Sequence, residues 1–289
     1  MRLPDTIDME TTLFSGQTFG WKRVPEGYLG CVDGNAALLQ AQSRTLLWDG
    51  PADTAYWARY FDINRDYAAV AARFSNDAYI EKAFACYGGM RILNQPVWET
   101  LCGFIISANN NIKRICGIAS GLREGLGSAR SIGAYTVYDF PNAQTIIRAG
   151  EDSLRQYGLG YRAPYLYATA KQVEEGFDLA ALPSMGYGRA LKELTSLMGV
   201  GEKVADCILL FSCGYSRAFP VDVWVKRVMR VLYGTEGTNA QIKAQGYRLF
   251  GEDAGIVQQV LFHGARMGLF PELCDRDAAA RVPRKGCAS

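Results

Sequence analysis

The chain has 289 residues, 49% of them hydrophobic and 12% aromatic, with a formal net charge of +2. That length can bury a large core in one or two domains, and a charge so near zero excludes a global basic field, so any nucleic-acid footprint must be local. No apolar run approaches the roughly 18 residues of a membrane-spanning helix, and Met1 to Glu10 carries neither a basic nor an apolar stretch, so a soluble intracellular protein is expected.

Residues 1 to about 60 are predicted as β structure. Tyr28 to Trp48 alternates loosely, with turn signals at Asp33-Gly34 and Asp49-Gly50-Pro51. From about Asp53 the pattern turns helical through Trp57, Tyr60 and Phe61 until Gly88-Gly89 interrupts it. This divides the chain into a β-sheet-containing domain over 1–88 and a helical core over 89–289. In the core, Asn94-Gln95-Pro96 opens a helix with Asn94 as its expected cap and Trp98, Leu101, Cys102 and Ile105 as its buried stripe. The helix runs into Asn109-Asn110-Asn111, which reads either as a capped turn between helices or as a polar binding loop beside Lys113 and Arg114. Farther on, glycines frame Tyr161 and Arg162 just ahead of a helix that Pro164 can start.

Leu191, Leu194 and Leu197 repeat at helical spacing until Gly199-Val200-Gly201 breaks the pattern with two residues able to take φ > 0. Val204, Cys207, Ile208 and Phe211 form the stripe of a second helix whose first turn carries Lys203. This segment, about residues 191–212, is helix, glycine hairpin, helix. Its uncovered amides suit a DNA phosphate, gripped without reading sequence. Asp222 stands in Phe219-Pro220-Val221-Asp222, ahead of a stripe of Val225, Val228, Met229 and Leu232, so an amine and a carboxylate open neighbouring helices. A last helix spans Ala254 to Met267, with Gln258 and Phe262 one turn apart. Beyond Phe270 the tail lacks periodicity and is expected to fray. The eight cysteines form no CxxC pair, and only Cys274 and Cys287 follow the last helix, so no metal site is expected.

The run Gly199-Val200-Gly201-Glu202-Lys203-Val204-Ala205-Asp206-Cys207, followed by Pro220-Val221-Asp222, resembles the helix-hairpin-helix DNA glycosylases, and within them the 8-oxoguanine DNA glycosylase/AP lyases. The resemblance covers about residues 11 to 268. It implies an α+β fold: an N-terminal antiparallel β-containing domain, then an all-α helix-hairpin-helix core of two helical subdomains. It makes Lys203 the nucleophile and Asp222 its partner. Gly16, in Ser15-Gly16-Gln17-Thr18-Phe19-Gly20-Trp21, would offer its carbonyl to the N7 proton that distinguishes 8-oxoguanine from guanine, and a residue without a side chain allows that approach. Cys207 and Phe262 would stack on the two faces of the base while Gln258 reads its Watson–Crick edge. Asn109, Arg114 and Arg162 would meet the cytosine left opposite, Tyr161 would wedge the stack open, and Gly199 and Gly201 would hold phosphate. Trp224, grouped with the DNA-binding residues, stands where the best-known members have a histidine that holds the flipped nucleotide's phosphate; the only histidine, His263, directly follows Phe262. Some relatives carry a four-cysteine iron–sulfur cluster. Here no cofactor is expected beyond a structural monovalent cation at the hairpin. The expected partner is duplex DNA containing 8-oxoguanine opposite cytosine, bound by a monomer in the nucleoid or cytoplasm of a bacterium or the nucleus of a eukaryote.

Breaking the bond from C1′ to a base builds positive charge on the sugar, and a nucleophile reaches C1′ only after the nucleotide leaves the stack. Lysine attacks as the neutral amine, which the first turn of a helix and apolar neighbours such as Val204 favour. The product is a Schiff base, from which β-elimination of the 3′ phosphate nicks the strand. The structural alternatives are a solvated Lys203 paired with Asp206 at i+3 and an Asp222 that is only an N-cap. The functional alternatives are a glycosylase for formamidopyrimidine or alkylated bases and a non-catalytic hairpin DNA-binding module. Alkylated-base enzymes of this architecture have the aspartate without the lysine, so Lys203 argues against them.

Overall fold

The turn signals at Asp33-Gly34 and Asp49-Gly50 do bound strands. In a computed structural model that describes residues 1–273, Trp21–Val24 (β1), Gly27–Val32 (β2), Asn35–Gln40 (β3) and Leu46–Asp49 (β4) form one antiparallel sheet in the order β1-β2-β3-β4. Leu29 stands opposite Leu38, and Ala37 opposite Trp48. Cys274, Cys287 and the tail expected to fray lie outside the described residues. Ahead of the sheet comes a helix that the sequence did not announce, Met9–Phe14 (α1), capped by Asp8, whose carboxylate accepts the Thr11 amide.

One face of the sheet closes on aromatics. Trp57 and Tyr60 from Thr54–Tyr60 (α2), with Phe61 beyond it, pack against Trp21, whose indole donates to the Tyr60 hydroxyl at 2.8 Å. Trp57 is fully buried, and side chains of this kind contribute roughly 1.5–3 kcal/mol each on burial. Two further helices lie within the first 88 residues, Tyr67–Ala72 (α3) and Ala78–Tyr87 (α4), yet both face the helical part of the molecule.

Val97–Ser107 (α5) is the central helix of that part. Pro96, not Asn94, holds its N-cap position and makes no capping bond; the Asn94 amide instead donates to the Arg59 carbonyl at 2.8 Å. Ile112–Leu126 (α6) follows, and then the core departs from a purely helical plan. Ala129–Ile132 (β5) and Tyr135–Tyr138 (β6) pair antiparallel, and Val137 seals Leu29, Cys31, Ala36 and Leu38 on the second face of the N-terminal sheet. Val137 is the only buried residue of the two short strands, which leaves the alternation too weak to read.

Ala143–Ala149 (α7), Glu151–Gln156 (α8) and Ala163–Glu174 (α9) flank one side of α5; Cys102, Ile106, Ile118, Ile146 and Leu166 share that core. On the other side Leu101, Phe104 and Ile105 meet Tyr187–Thr195 (α10) and Glu202–Ser212 (α11). Val223–Tyr233 (α12), Asn239–Phe250 (α13) and Ala254–Arg266 (α14) build a further core with α4 around Val225, Met229, Ile242, Val257 and Leu261. The starts of α11 and α12 and one face of α14 carry the residues picked out for chemistry. Among the described residues no helix is long and apolar enough to cross a membrane.

Candidate active site

The hairpin between α10 and α11 uses its two glycines differently. Gly199 has φ +82°, and a Cβ there would stand 2.7 Å from the Cβ of Tyr165, so backbone and space both require glycine. Gly201, from which the sequence pattern expects the same freedom, does not use it: φ −84°, ψ 174° is extended backbone open to any residue. It is the N-cap of α11 without a side-chain bond to the helix, and a Cβ on it would meet nothing within 4 Å. A bare N-cap leaves the first-turn amides facing open space, as an anion requires.

Lys203 is the second residue of α11, and Asp206 is not its partner. The buried Asp206 carboxylate accepts Lys243 Nζ at 2.6 Å and the Tyr187 hydroxyl, which in turn accepts the Tyr247 hydroxyl at 2.8 Å. Burial holds the Asp206 carboxyl above its usual range, against the opposing pull of Lys243. Lys203 Nζ instead lies 5.2 Å from the centre of the Phe104 ring and beside the Cys207 thiol. Cys207 is buried, and burial pushes its thiol up to about 11, with Lys203 pulling down and Asp206 and Asp222 pushing up. The neutral thiol is a small apolar surface.

Asp222 is indeed an N-cap: one carboxylate oxygen accepts the Val225 amide at 2.8 Å at the head of α12. The bond engages Oδ1 alone, so Oδ2 remains available and capping does not compete with chemistry. From α14, Gln258 is buried with its Oε1 lacking a hydrogen-bond partner. Phe262, half-buried, carries the Arg266 guanidinium 5.4 Å from its ring centre. Arg266 lies in the field of Asp222, and its Nη1 donates to the Ser15 carbonyl at 3.2 Å. That bond brings in the N-terminal segment. Gly16 has φ +95°, and a Cβ would stand 2.7 Å from Ile112 Cδ1 and 3.7 Å from Arg266 Nη1. Fully buried Gln17 pins the segment from behind, donating to the Thr12 and Arg91 carbonyls and accepting the Leu93 amide. Gly16, Arg266 and Phe262 are therefore neighbours.

A second group gathers across Ile112. The three asparagines of the triplet do three different things: Asn109 takes φ +47°, the Asn110 amide donates to the Ile106 carbonyl at 3.1 Å, and Asn111 caps α6 by accepting the Arg114 amide. Tyr161 is 49% exposed, its hydroxyl donating to the Ala108 carbonyl at 3.1 Å. Arg114 is exposed and donates to the Gly158 carbonyl at 3.2 Å. Arg162 differs from expectation. It is 2% exposed, and its guanidinium donates to the carbonyls of Ala108, Asn109 and Leu159, bracing two turns instead of standing open to a base. The Ala108 and Asn109 carbonyls follow the last turn of α5, where the backbone has spare acceptors that a guanidinium fork satisfies, while the Leu159 carbonyl opens the Tyr161 turn.

Trp224 lines a surface groove at the start of α12. It lies under Arg227, 5.6 Å from guanidinium to ring centre, in a groove of about 660 Å³ with Val223, Lys226 and Arg230; neither Lys203 nor Cys207 lines it. Among the described residues no group of three His, Cys, Asp or Glu side chains could hold a metal ion. Sequence reading passed over Arg266, Gln259 and Lys243. Arg266 was the most accessible of them, one turn past Phe262 on the same helix.

A glycine hairpin that leaves helix amides open, with Lys203 in the first turn of the helix after it and Asp222 at the cap of the next, fits a helix-hairpin-helix glycosylase core. The family description "8-oxoguanine DNA glycosylase, N-terminal domain" matches residues 2–101, and "HhH-GPD superfamily base excision DNA repair protein" matches residues 102–249. The chain belongs to the 8-oxoguanine glycosylase branch of the HhH-GPD superfamily of base excision DNA repair proteins. A probable N-glycosylase/DNA lyase of Methanothermobacter thermautotrophicus is 32% identical over 235 residues, 74% of each chain. The structure of the Clostridium acetobutylicum 8-oxoguanine glycosylase/lyase, in complex with double-stranded DNA containing cytosine opposite 8-oxoguanine, is similar at a TM-score of 0.85 and 32% identity, covering 92% of this chain and 93% of that one. A 3-methyladenine DNA-glycosylase from Archaeoglobus fulgidus has a TM-score of 0.75 at 21% identity over 92% of this chain and 98% of its own, a likeness of fold alone.

Proposed function

We propose that this protein excises 8-oxoguanine from duplex DNA, preferentially opposite cytosine, and then nicks the strand more weakly. The observation that supports the reading is placement: Lys203 in the first turn of α11 with its Nζ 5.2 Å from the Phe104 ring centre, and Asp222 capping α12 with one carboxylate oxygen unused. The amine of Lys203 attacks C1′ of the extruded nucleotide, the bond to the base nitrogen breaks, and the base leaves with the electron pair and is protonated. Asp222, through the oxygen its cap does not use, offsets the positive charge that builds on the sugar. The ring then opens to a Schiff base on Lys203; loss of a C2′ proton expels the 3′ phosphate, and water releases the lysine.

Recognition of the lesion is supported by complementary groups. Gln258 Oε1, buried without a partner, is an acceptor suited to the N–H groups of a guanine-type edge, and the Gly16 carbonyl is the candidate acceptor for N7–H. The reaction uses protein groups alone, with a monovalent cation at the hairpin serving structure at most. The protein acts as an intracellular monomer on DNA.

The test is borohydride trapping on a duplex with one 8-oxoguanine opposite cytosine, comparing wild type with Lys203→Gln. A covalent adduct in the wild type alone is expected. Base loss without an adduct would mean that water is the nucleophile, and an untouched lesion would sink the substrate assignment.

A further inference from the structure

Helix α14 carries two adjacent stripes. Gln258 and Phe262 form one; Gln259 and Arg266, seven residues apart and so on one face, form the other. The second stripe holds Ser15 twice: Gln259 Nε2 donates to the Ser15 hydroxyl at 3.3 Å, and Arg266 Nη1 to the Ser15 carbonyl at 3.2 Å. Gln259 is 3% exposed and Ser15 fully buried, so the bond between them is shielded from water, and the Arg266 bond is partly buried. We infer that Arg266, assisted by Gln259, is a positioning residue for lesion selectivity, clamping the Ser15–Gly16 segment to the helix that reads the base.

This inference rests on the reading of Gly16 as the acceptor for N7–H. Guanine and 8-oxoguanine differ at that edge by one proton and one oxygen, so discrimination depends on a carbonyl held within about 2.7–3.2 Å of its donor. The carbonyl belongs to the N-terminal segment, whereas Gln258 and Phe262 belong to α14, more than two hundred residues later in the chain. Only if segment and helix move as one body does the acceptor keep its distance from the edge reader. Gln17 fixes the segment to Thr12 and to the Arg91–Leu93 stretch ahead of α5; Arg266 and Gln259 fix it to α14. The Arg266 guanidinium also lies over the Phe262 ring, so the same side chain references both the stacking surface and the acceptor. A displacement of about 1 Å at such a site can cost on the order of a hundredfold in rate.

The experiment compares Arg266→Met, Arg266→Lys and Gln259→Leu in single-turnover cleavage of two duplexes, one with 8-oxoguanine opposite cytosine and one with an abasic site. Abasic cleavage needs Lys203 but no base recognition. For Arg266→Met the ratio of 8-oxoguanine excision to abasic cleavage should fall about tenfold or more. Arg266→Lys, which keeps the donor and the charge, should recover part of the ratio, and Gln259→Leu should lose less. Equal losses on both duplexes, or an unchanged ratio, overturn the clamp. A wild-type protein that cleaves the abasic duplex but leaves 8-oxoguanine in place overturns the substrate reading itself, and the clamp with it.

Discussion

Two lysines compete, in principle, for one carboxylate. Lys203 sits one turn before Asp206 on α11, at a spacing that pairs side chains on an isolated helix. Lys243 arrives from α13 and takes the carboxylate at 2.6 Å, with the Tyr187 hydroxyl on its other oxygen. Lys243 is thus buried in an ion pair and beyond the reach of any substrate, while Lys203 rests against an aromatic ring and a thiol, with no carboxylate in contact among the described residues. The same functional group becomes structural in one place and reactive in the other because a distant helix claims the local anion. The proposed nucleophile and the structural lysine thus hold separate posts, one against a ring and a thiol, the other in a buried ion pair.

The sharpest break of this comparison exchanges the two losses. Lys203→Gln should remove the trapped adduct altogether, on the order of a thousandfold or more in strand cleavage, as when the nucleophile of a catalytic unit is deleted, with urea-unfolding stability changed by about 1 kcal/mol or less. Lys243→Met should do the reverse, costing about 3–5 kcal/mol in urea unfolding because the Asp206 charge is left buried and unpaired. Its folded fraction should still form the adduct, and adduct loss beyond the loss of folded protein would contradict the division of labour. Adding Asp206→Leu to Lys243→Met should restore most of that stability, since the stranded charge goes too.

Gly199→Ala is next in size: with φ +82° and Tyr165 at 2.7 Å, it should cost about 1–3 kcal/mol and weaken binding to undamaged duplex, read by unfolding and by fluorescence anisotropy. The smallest effect concerns pH. Burial lowers the His263 pKa below its ordinary 6.5, with Arg266 adding to the shift and Asp8 opposing it. The unfolded chain then binds the proton first, so stability is complete above pH about 6.5 and declines as pH falls toward the folded value. His263→Gln should flatten that acid limb by about 1 kcal/mol or less in thermal unfolding between pH roughly 7 and 5.

The hairpin and the helices that carry Lys203, Asp222, Gln258 and Phe262 were legible from local spacing, glycines that stop a helix and apolar residues that repeat at 3.6, while the parts given to those four side chains came from the resemblance to the glycosylases. The sheet was legible from its turns. Helix α1 was not, since its six residues include two threonines and are stabilised by the Asp8 cap and burial, not by propensity. The contacts of Arg162, Lys243 and Arg266 were hidden for another reason. A long side chain announces its charge in the sequence but not the carbonyl or carboxylate it will find, and those partners lie 53, 37 and 251 positions away. Spacing placed the helices; it said little about what holds their side chains in register.

The border between the two matched family descriptions, at residues 101 and 102, falls inside α5, and the β5–β6 ribbon reaches back across it to cover Leu29, Cys31 and Leu38. Severed at that border, the first fragment would turn an oily sheet face toward water and invite self-association, and the second would begin mid-helix with its ribbon uncovered. Two descriptions can be written along this polypeptide, but the packing across their border makes it one folding object.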